Sequence, residues 1–323
     1  MTELRRNPQL GTWVMVSAGR QHRPQMPKDG CPFCPGSGQV PEEYDVFLYA
    51  NDFPHLMEHP PEPEYSAHDL YPTQPAYGHC DVVLYSPDHR GSITRLSPAH
   101  RLRLFDLWRN RVVEMKNKDY VKYCYIFENK GEIIGVTMPH PHGQIYSYPF
   151  IPLRLERELH ISEEYYRKTK NHLFDEMIQL ELEERSRLIH ESKYFVLATP
   201  FAGDYPYETH IFCKPPRLDL TELSSTEADD FMRLLQDTVK MYDALFGFEL
   251  PFMMAFHQAP VDGGDYSYYR FHVEFYPMHR AADRLKFNAG SETGAWAFTN
   301  PSCPEEKAEE LRAVMAKILN PGR

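Results

Sequence analysis

Short runs of alternating or continuous apolar residues, too brief for helices, predict strands. They cover Gly11 to Ser17, Asp81 to Ser86, Tyr120 to Glu128, Gln144 to Ser147, Tyr194 to Thr199, Thr209 to Cys213, Phe252 to His257 and Arg270 to Tyr276. Apolar positions at helical spacing, with acidic or Ser/Thr starts, predict helices over Ser97 to Lys118, Ile161 to Ser192, Ser225 to Phe246 and Pro304 to Leu319. The mixture is α/β or α+β.

The two halves of the chain echo one another. In the first, a strand ending in Ser86-Pro-Asp-His leads through Leu96-Ser-Pro to a helix, then to the Tyr123 strand and His140-Pro-His. In the second, Thr209-His-Ile-Phe leads through Leu223-Ser-Ser to a helix, then to the Phe252 strand and His272-Val-Glu. The closing segments also match, Tyr146-Ser-Tyr-Pro against Glu274-Phe-Tyr-Pro. Two copies of one unit sharing a continuous sheet are expected.

Composition narrows the function. With 323 residues, 42% of them hydrophobic, the chain can bury a substantial core, and its 28 prolines and 21 tyrosines leave no low-complexity linker between the halves. A net charge of -11 offers no basic surface, so no nucleic-acid partner is expected. The stretch Met1-Thr-Glu-Leu-Arg-Arg-Asn-Pro has no apolar core of a signal sequence, and no run is long enough to span a bilayer, so a cytoplasmic protein without a membrane partner is expected. Cys80, Cys124 and Cys213 sit in strand-like runs and read as buried thiols, and Cys303 falls in a loop.

Cys31-Pro-Phe-Cys34 is a knuckle whose thiolates can reach one Zn²⁺, with His89 and His140 as plausible imidazoles for a closed Cys2His2 shell. A redox dithiol or simple packing would also account for the pair. The sharper signal is Phe127-Glu-Asn-Lys-Gly131, Gly135-Val-Thr-Met-Pro139 and His140-Pro-His-Gly-Gln144. In extended chain His140 and His142 share a face, so one can hold a metal while the other meets substrate, or both can be ligands. Glycines here let backbone N–H groups approach an anion such as phosphate. A neutral imidazole is a competent nucleophile toward phosphorus near pH 7. Gln144 cannot exchange protons but can donate a hydrogen bond to a phosphoryl oxygen. A poor leaving group would require a proton donor and a phosphate does not, so His142 with Gln144 suits exchange between phosphate monoesters.

The knuckle, Asn51-Asp-Phe53, Ser86-Pro-Asp-His89, FENKG and HPHGQ stand in the order found in galactose-1-phosphate uridylyltransferases of the histidine triad superfamily, which the chain resembles over essentially its whole length. The resemblance implies an α+β fold of two histidine-triad-like repeats forming a continuous, mainly antiparallel sheet flanked by helices. Residues 1–160 would carry the knuckle and HPHGQ, and residues 161–323 a second metal site and a hexose-binding segment, in one compact unit. It implies that His142 attacks UDP-glucose, releases glucose 1-phosphate and passes the uridylyl group to galactose 1-phosphate.

Position by position, the resemblance makes Cys31, Cys34, His89 and His140 zinc ligands, and Arg20 and Arg23 phosphate clamps. Asn51 and Asp52 resemble uridine and ribose contacts, and Asn129, Gly135, Thr137 and Gln144 the diphosphate contacts. Lys286, Phe287 and Glu292 match the hexose-binding segment, although Ser291 and Phe298 depart from it. A second metal, Fe or Zn, is expected on Glu158, His257, His272 and Glu274, with Glu274 standing where many members have histidine. A homodimer is implied, with Arg20, Arg23 and Lys286 reaching the partner's site. Three rival readings are an ADP-glucose phosphorylase-like adenylyl transferase, a zinc-stabilised nucleotide-binding protein without turnover, and a nucleotide hydrolase. Gly143, where the first rival tends to carry serine, argues against it, and Gln144 argues against hydrolysis.

Overall fold

The computed structural model describes residues 1–19, 30–65 and 68–320. Its strands are β1 (Thr2–Arg6), β2 (Trp13–Ser17), β3 (Phe47–Ala50), β4 (Thr73–Pro75), β5 (His79–Leu84), β6 (Tyr123–Lys130), β7 (His142–Tyr148), β8 (Leu188–Glu191), β9 (Phe195–Ala198), β10 (Thr209–Cys213), β11 (Phe252–His257), β12 (His272–Pro277), β13 (His279–Ala281) and β14 (Arg284–Leu285). The helices are α1 (Pro98–Met115), α2 (Leu153–Thr169), α3 (Leu173–Glu184), α4 (Ser225–Phe246), α5 (Gly290–Ala295) and α6 (Pro304–Leu319).

Nine strands form one sheet in the order β3-β5-β7-β6-β11-β12-β10-β9-β8, with every neighbouring pair antiparallel. Apart from the extra edge strand β8, the order is mirrored about the β6–β11 joint, where Lys130 faces Phe252 and Phe127 faces Ala255. The β5-α1-β6-β7 unit of the first half recurs as β10-α4-β11-β12 in the second, as the echoing segments of the chain predict. A smaller sheet, β2-β1-β4, flanks the first half.

Local signals set the two long crossover helices. Ser97 caps α1 by accepting from the His100 N–H, with Pro98 at the first helical position. Ser224 and Glu227 form a reciprocal capping box on α4, which ends at Gly247 in the left-handed conformation. Both helices pack on the same sheet face, where Trp108 of α1 meets Phe256 of β11 edge-on at 5.1 Å. Gln236 of α4 reaches into the first half, donating to the Ile93 and Leu96 carbonyls (2.7 and 2.9 Å) and accepting from Arg101 (2.6 Å). The two halves therefore share one core.

The other face differs between halves. The single helix predicted over Ile161 to Ser192 is instead α2 and α3, which break at Lys170 and end at Arg185, both left-handed, before the chain enters β8. Amphipathic spacing continues across the break, which hides the turn from a periodicity argument. Leu159, Phe174 and Ile178 of this pair pack on Val196, Ala198 and Phe212, covering the second half of the sheet. In the first half the matching face, bearing Val82, His142 and Gln144, borders an open cleft.

Candidate active site

His142 opens β7, and its Nδ1 lies 2.7 Å from the His140 carbonyl oxygen. A carbonyl can only accept, so the Nδ1 proton points inward and the lone pair resides on Nε2. The Phe33 ring stands edge-on to the imidazole at 5.7 Å. Gln144 lies two residues on, on the same face, opposite Val82 on one side and Phe127 on the other.

The sequence-predicted cluster is assembled. Ligand-capable atoms of Cys31, Cys34, His89 and His140 all lie within 4.8 Å of one another. Cys34 Sγ is 3.5 Å from His89 Nδ1 and 3.7 Å from His140 Nδ1, and Cys31 Sγ is 3.7 Å from His140 Nδ1. Adjacent corners of a tetrahedron with metal–ligand bonds of about 2.3 Å to sulfur and 2.0 Å to nitrogen would be about 3.5 Å apart, so the residues fit such an ion. The fully buried His140 donates from Nε2 to the Ser86 carbonyl at 2.8 Å, which leaves Nδ1 bare and aimed at the thiols. Burial, and next the neighbouring Cys31, push the Cys34 thiol up to about 11. A cation between the sulfurs would reverse that preference.

Two clefts meet at His142 and Met138. One, about 670 Å³, is lined by Phe33, Tyr49, Asn51, Asp52, Phe53 and Gln144 and has aromatic walls suited to a base. Asn51 accepts from the Phe53 N–H and Asp52 accepts from the Tyr49 hydroxyl, which fixes the turn after β3. The other, about 560 Å³, is lined beside His142 by Arg90, Arg95, Asn129 and Lys130 and also by Glu128, Glu132 and Glu249, with the Lys130 ammonium paired to Asp243. Gly135 and Thr137 lie on the loop between β6 and His140 but line neither cleft. Gly131 anchors that loop: at φ 101°, an added Cβ would come 2.7 Å from Pro251. Arg20 and Arg23 lie outside the described residues.

The second cluster also forms. Glu158, His257 and His272 bring ligand-capable atoms within 4.8 Å of one another. Glu158 accepts from His257 Nδ1 and from the Tyr269 hydroxyl, each at 2.8 Å. Burial raises the Glu158 carboxyl, but the facing His257 outweighs it and holds the group down at about 2. Glu274 stands beside this trio, 3.3 Å from His257 Nε2 and 3.5 Å from His272 Nε2, while bonding Arg154 and the Tyr276 hydroxyl.

None of Lys286, Phe287 and Glu292, in the segment after β14, lines either cleft. Lys286 is buried against Tyr205 and Phe298 and sits 3.3 Å from Glu292, whose carboxylate also accepts from Thr299 and the Ala289 N–H. Phe287 is 63% exposed.

Known proteins decide the family. The profile of the galactose-1-phosphate uridyl transferase N-terminal domain matches residues 1–152, and that of its C-terminal domain matches residues 158–319. The chain belongs to this family. It is 39% identical to a galactose-1-phosphate uridylyltransferase of Thermotoga maritima, over 98% of this chain and all of that one. The Haemophilus influenzae relative of the same name is 31% identical over 96% of this chain and 93% of its own. Among solved structures, a uridylyltransferase superposes with a TM-score of 0.90 at 34% identity, covering 98% of this chain and all of that one. An Arabidopsis thaliana ADP-glucose phosphorylase with bound ADP-glucose, at 23% identity, covers 97% and 99% with a TM-score of 0.74, a likeness of fold.

Within this family member, several groups at the site lack a signal of their own in the sequence. Phe33 was visible only as the spacer of the knuckle, Tyr49 and Arg95 stand in no motif, and Arg90 merely follows His89. Arg154 joins the second cluster from α2, one turn before Glu158, and His210 joins it from β10. Only the pairing of β10 with β12, which sets His210 opposite Glu274, reveals the latter.

Proposed function

We propose that this chain is a UDP-glucose:hexose-1-phosphate uridylyltransferase, with galactose 1-phosphate as acceptor, working through a uridylyl bond to His142. The observation that carries the reading is the His142 Nδ1 bond to the His140 carbonyl, because it presents Nε2 as nucleophile from a residue tied to the Cys31–Cys34 cluster. The Nε2 lone pair attacks the α-phosphorus of UDP-glucose, and the bond to the glucose 1-phosphate oxygen breaks with its electron pair. That leaving group is a phosphate monoester and takes no proton. Galactose 1-phosphate then attacks the same phosphorus through a phosphate oxygen, and the N–P bond returns its electrons to Nε2. Gln144 would donate to the phosphoryl oxygens as charge builds there. The aromatic cleft with Asn51 and Asp52 would hold uridine and ribose, and Asn129 the diphosphate, with Gly135 and Thr137 reaching it from the loop that borders the clefts through Val136 and Met138.

In this reading Cys31, Cys34, His89 and His140 bind Zn²⁺, whose contribution is to fasten the knuckle to the strand that carries the nucleophile. Glu158, His257, His272 and Glu274 bind a second ion, Fe or Zn, with a structural part to play. Residues 1–160 and 161–323 act as two halves of one unit. Lys286, Phe287 and Glu292 serve the hexose, Arg20 and Arg23 clamp phosphate, and Arg20, Arg23 and Lys286 reach into the site of a second copy of the chain. That Lys286, Phe287 and Glu292 do not line the clefts of their own chain supports a dimer, and the cytoplasm is the expected location. Initial rates test the scheme. Parallel double-reciprocal lines for UDP-glucose against galactose 1-phosphate are expected, and intersecting lines would exclude a covalent intermediate.

A further inference from the structure

Gly143, between the nucleophile and Gln144, does not occupy the left-handed region, so its backbone conformation does not demand glycine. Space does. A Cβ at this position would lie 2.3 Å from the Tyr85 hydroxyl oxygen, 3.1 Å from Tyr85 Cζ and 3.2 Å from the Phe127 carbonyl oxygen. Tyr85 directly follows β5 and is 1% exposed. Its hydroxyl donates to Glu128 Oε2 at 2.9 Å, so the phenol passes beneath β7 from the end of β5 to a carboxylate on β6. The ring has little freedom to retreat. Trp108 stands edge-on to it at 6.0 Å, and the Tyr85 carbonyl accepts from His100 at 2.8 Å.

We infer that Tyr85, held by Glu128, is a positioning residue for His142: its hydroxyl is the stop on which Gly143 rests, and it fixes the depth and tilt of the nucleophile above the clefts. The inference rests on the uridylyltransferase reading. Strand geometry supplies the reason. His142 and Gly143 project to opposite faces, so support under Gly143 from the helix side sets how far the imidazole stands out on the cleft side. Glu128 is itself buried, and that burial pushes its carboxyl up to about 7 despite the Tyr85 bond and nearby Lys130. The protein keeps a costly buried acid where its visible partner is this hydroxyl. In-line attack is sensitive to displacement, and an error of about 1 Å can lower a rate by about 100-fold.

The test is a suppressor series, read by single-turnover uridylylation with UDP-glucose and by melting temperature. Tyr85→Phe is expected to slow uridylylation about 10-fold at saturating UDP-glucose, with the half-saturating concentration unchanged. Gly143→Ala is expected to lose at least about 100-fold, or to fail to fold. Adding Tyr85→Phe to Gly143→Ala is expected to recover about 10-fold of the rate, or the soluble fold, because the clashing oxygen is gone. A Tyr85→Phe rate equal to wild type, or a double variant no better than Gly143→Ala alone, overturns the inference. If wild type itself is not uridylylated, the functional reading fails instead, and recovery of melting temperature in the double variant still reports on the contact.

Discussion

His142 and His272 occupy matching places in the two halves of the sheet, each opening its strand with Nδ1 bonded to the carbonyl two residues before it, at 2.7 and 2.9 Å. What lies beyond the rings separates them. His142 looks into two clefts, whereas His272 is 2% exposed, with Glu274 where the first half has Gln144, and Phe174 of α3 on its ring at 4.8 Å. A carboxylate there would repel a phosphate, and the helix pair fills the space a nucleotide would need. One scaffold thus carries one open histidine and one closed one.

Replacing His142 with glycine is expected to lower exchange by at least about 10⁴-fold, since the covalent step runs through its imidazole. Added imidazole should restore part of the rate by entering the vacated space. Near-normal exchange in His142→Gly without imidazole would move the nucleophile elsewhere.

The knuckle cluster predicts a metal-dependent fold. Cys31→Ser combined with Cys34→Ser should lower zinc content by about one ion per chain and the melting temperature by at least about 5 °C, because the ion's binding energy is part of the folding energy. Elemental analysis and a thermal melt check both, and unchanged values would mean that no ion is held there.

Glu128 predicts a signed pH dependence. Its carboxyl is raised from the ordinary 4.5 to about 7, so between those values the folded state binds the extra proton. Its contribution is fully present below about pH 4.5 and is lost as pH rises through about 7. Tyr85 and Lys130 oppose the rise, whereas Asp243 adds to it. Glu128→Gln, which cannot ionise, should remove this slope, a difference of up to roughly 3 kcal/mol between the ends of the window. Denaturant melts of both proteins at pH 5 and pH 7.5 measure it. Identical slopes would mean that Glu128 ionises normally.

Much of this was legible in the chain. The limits of α4 and α6 follow directly from Ser224-Ser225, Gly247 and Pro304, because caps are local. The knuckle was equally readable, since Cys31 and Cys34 are neighbours and His89 and His140 sit beside marked motifs. Strands β1, β3 and β8 were not, because each is a short mixed run that gains its place only from a partner strand. The break at Lys170 has no local signal, because neither a glycine nor a proline marks it. Tyr85 beneath Gly143 depends on three strands meeting, which no spacing encodes.

For the second cluster, Glu158→Ala strips the acceptor from both His257 and the Tyr269 hydroxyl. A cost of about 1–3 kcal/mol is expected, visible as a melting temperature lower by several degrees. Metal content should fall while exchange persists. A constant ratio of one zinc per chain in wild type and Glu158→Ala would mean that these residues hold no ion.

The central claim is the covalent bond to His142, and the most direct measurement is to incubate the protein with UDP-glucose labelled in the uridylyl group, without acceptor, and then denature and digest it. The account predicts about one label per chain on the peptide carrying His142, discharged by galactose 1-phosphate and absent from His142→Gly. Full exchange activity with no labelled protein, or label retained in His142→Gly, would contradict it.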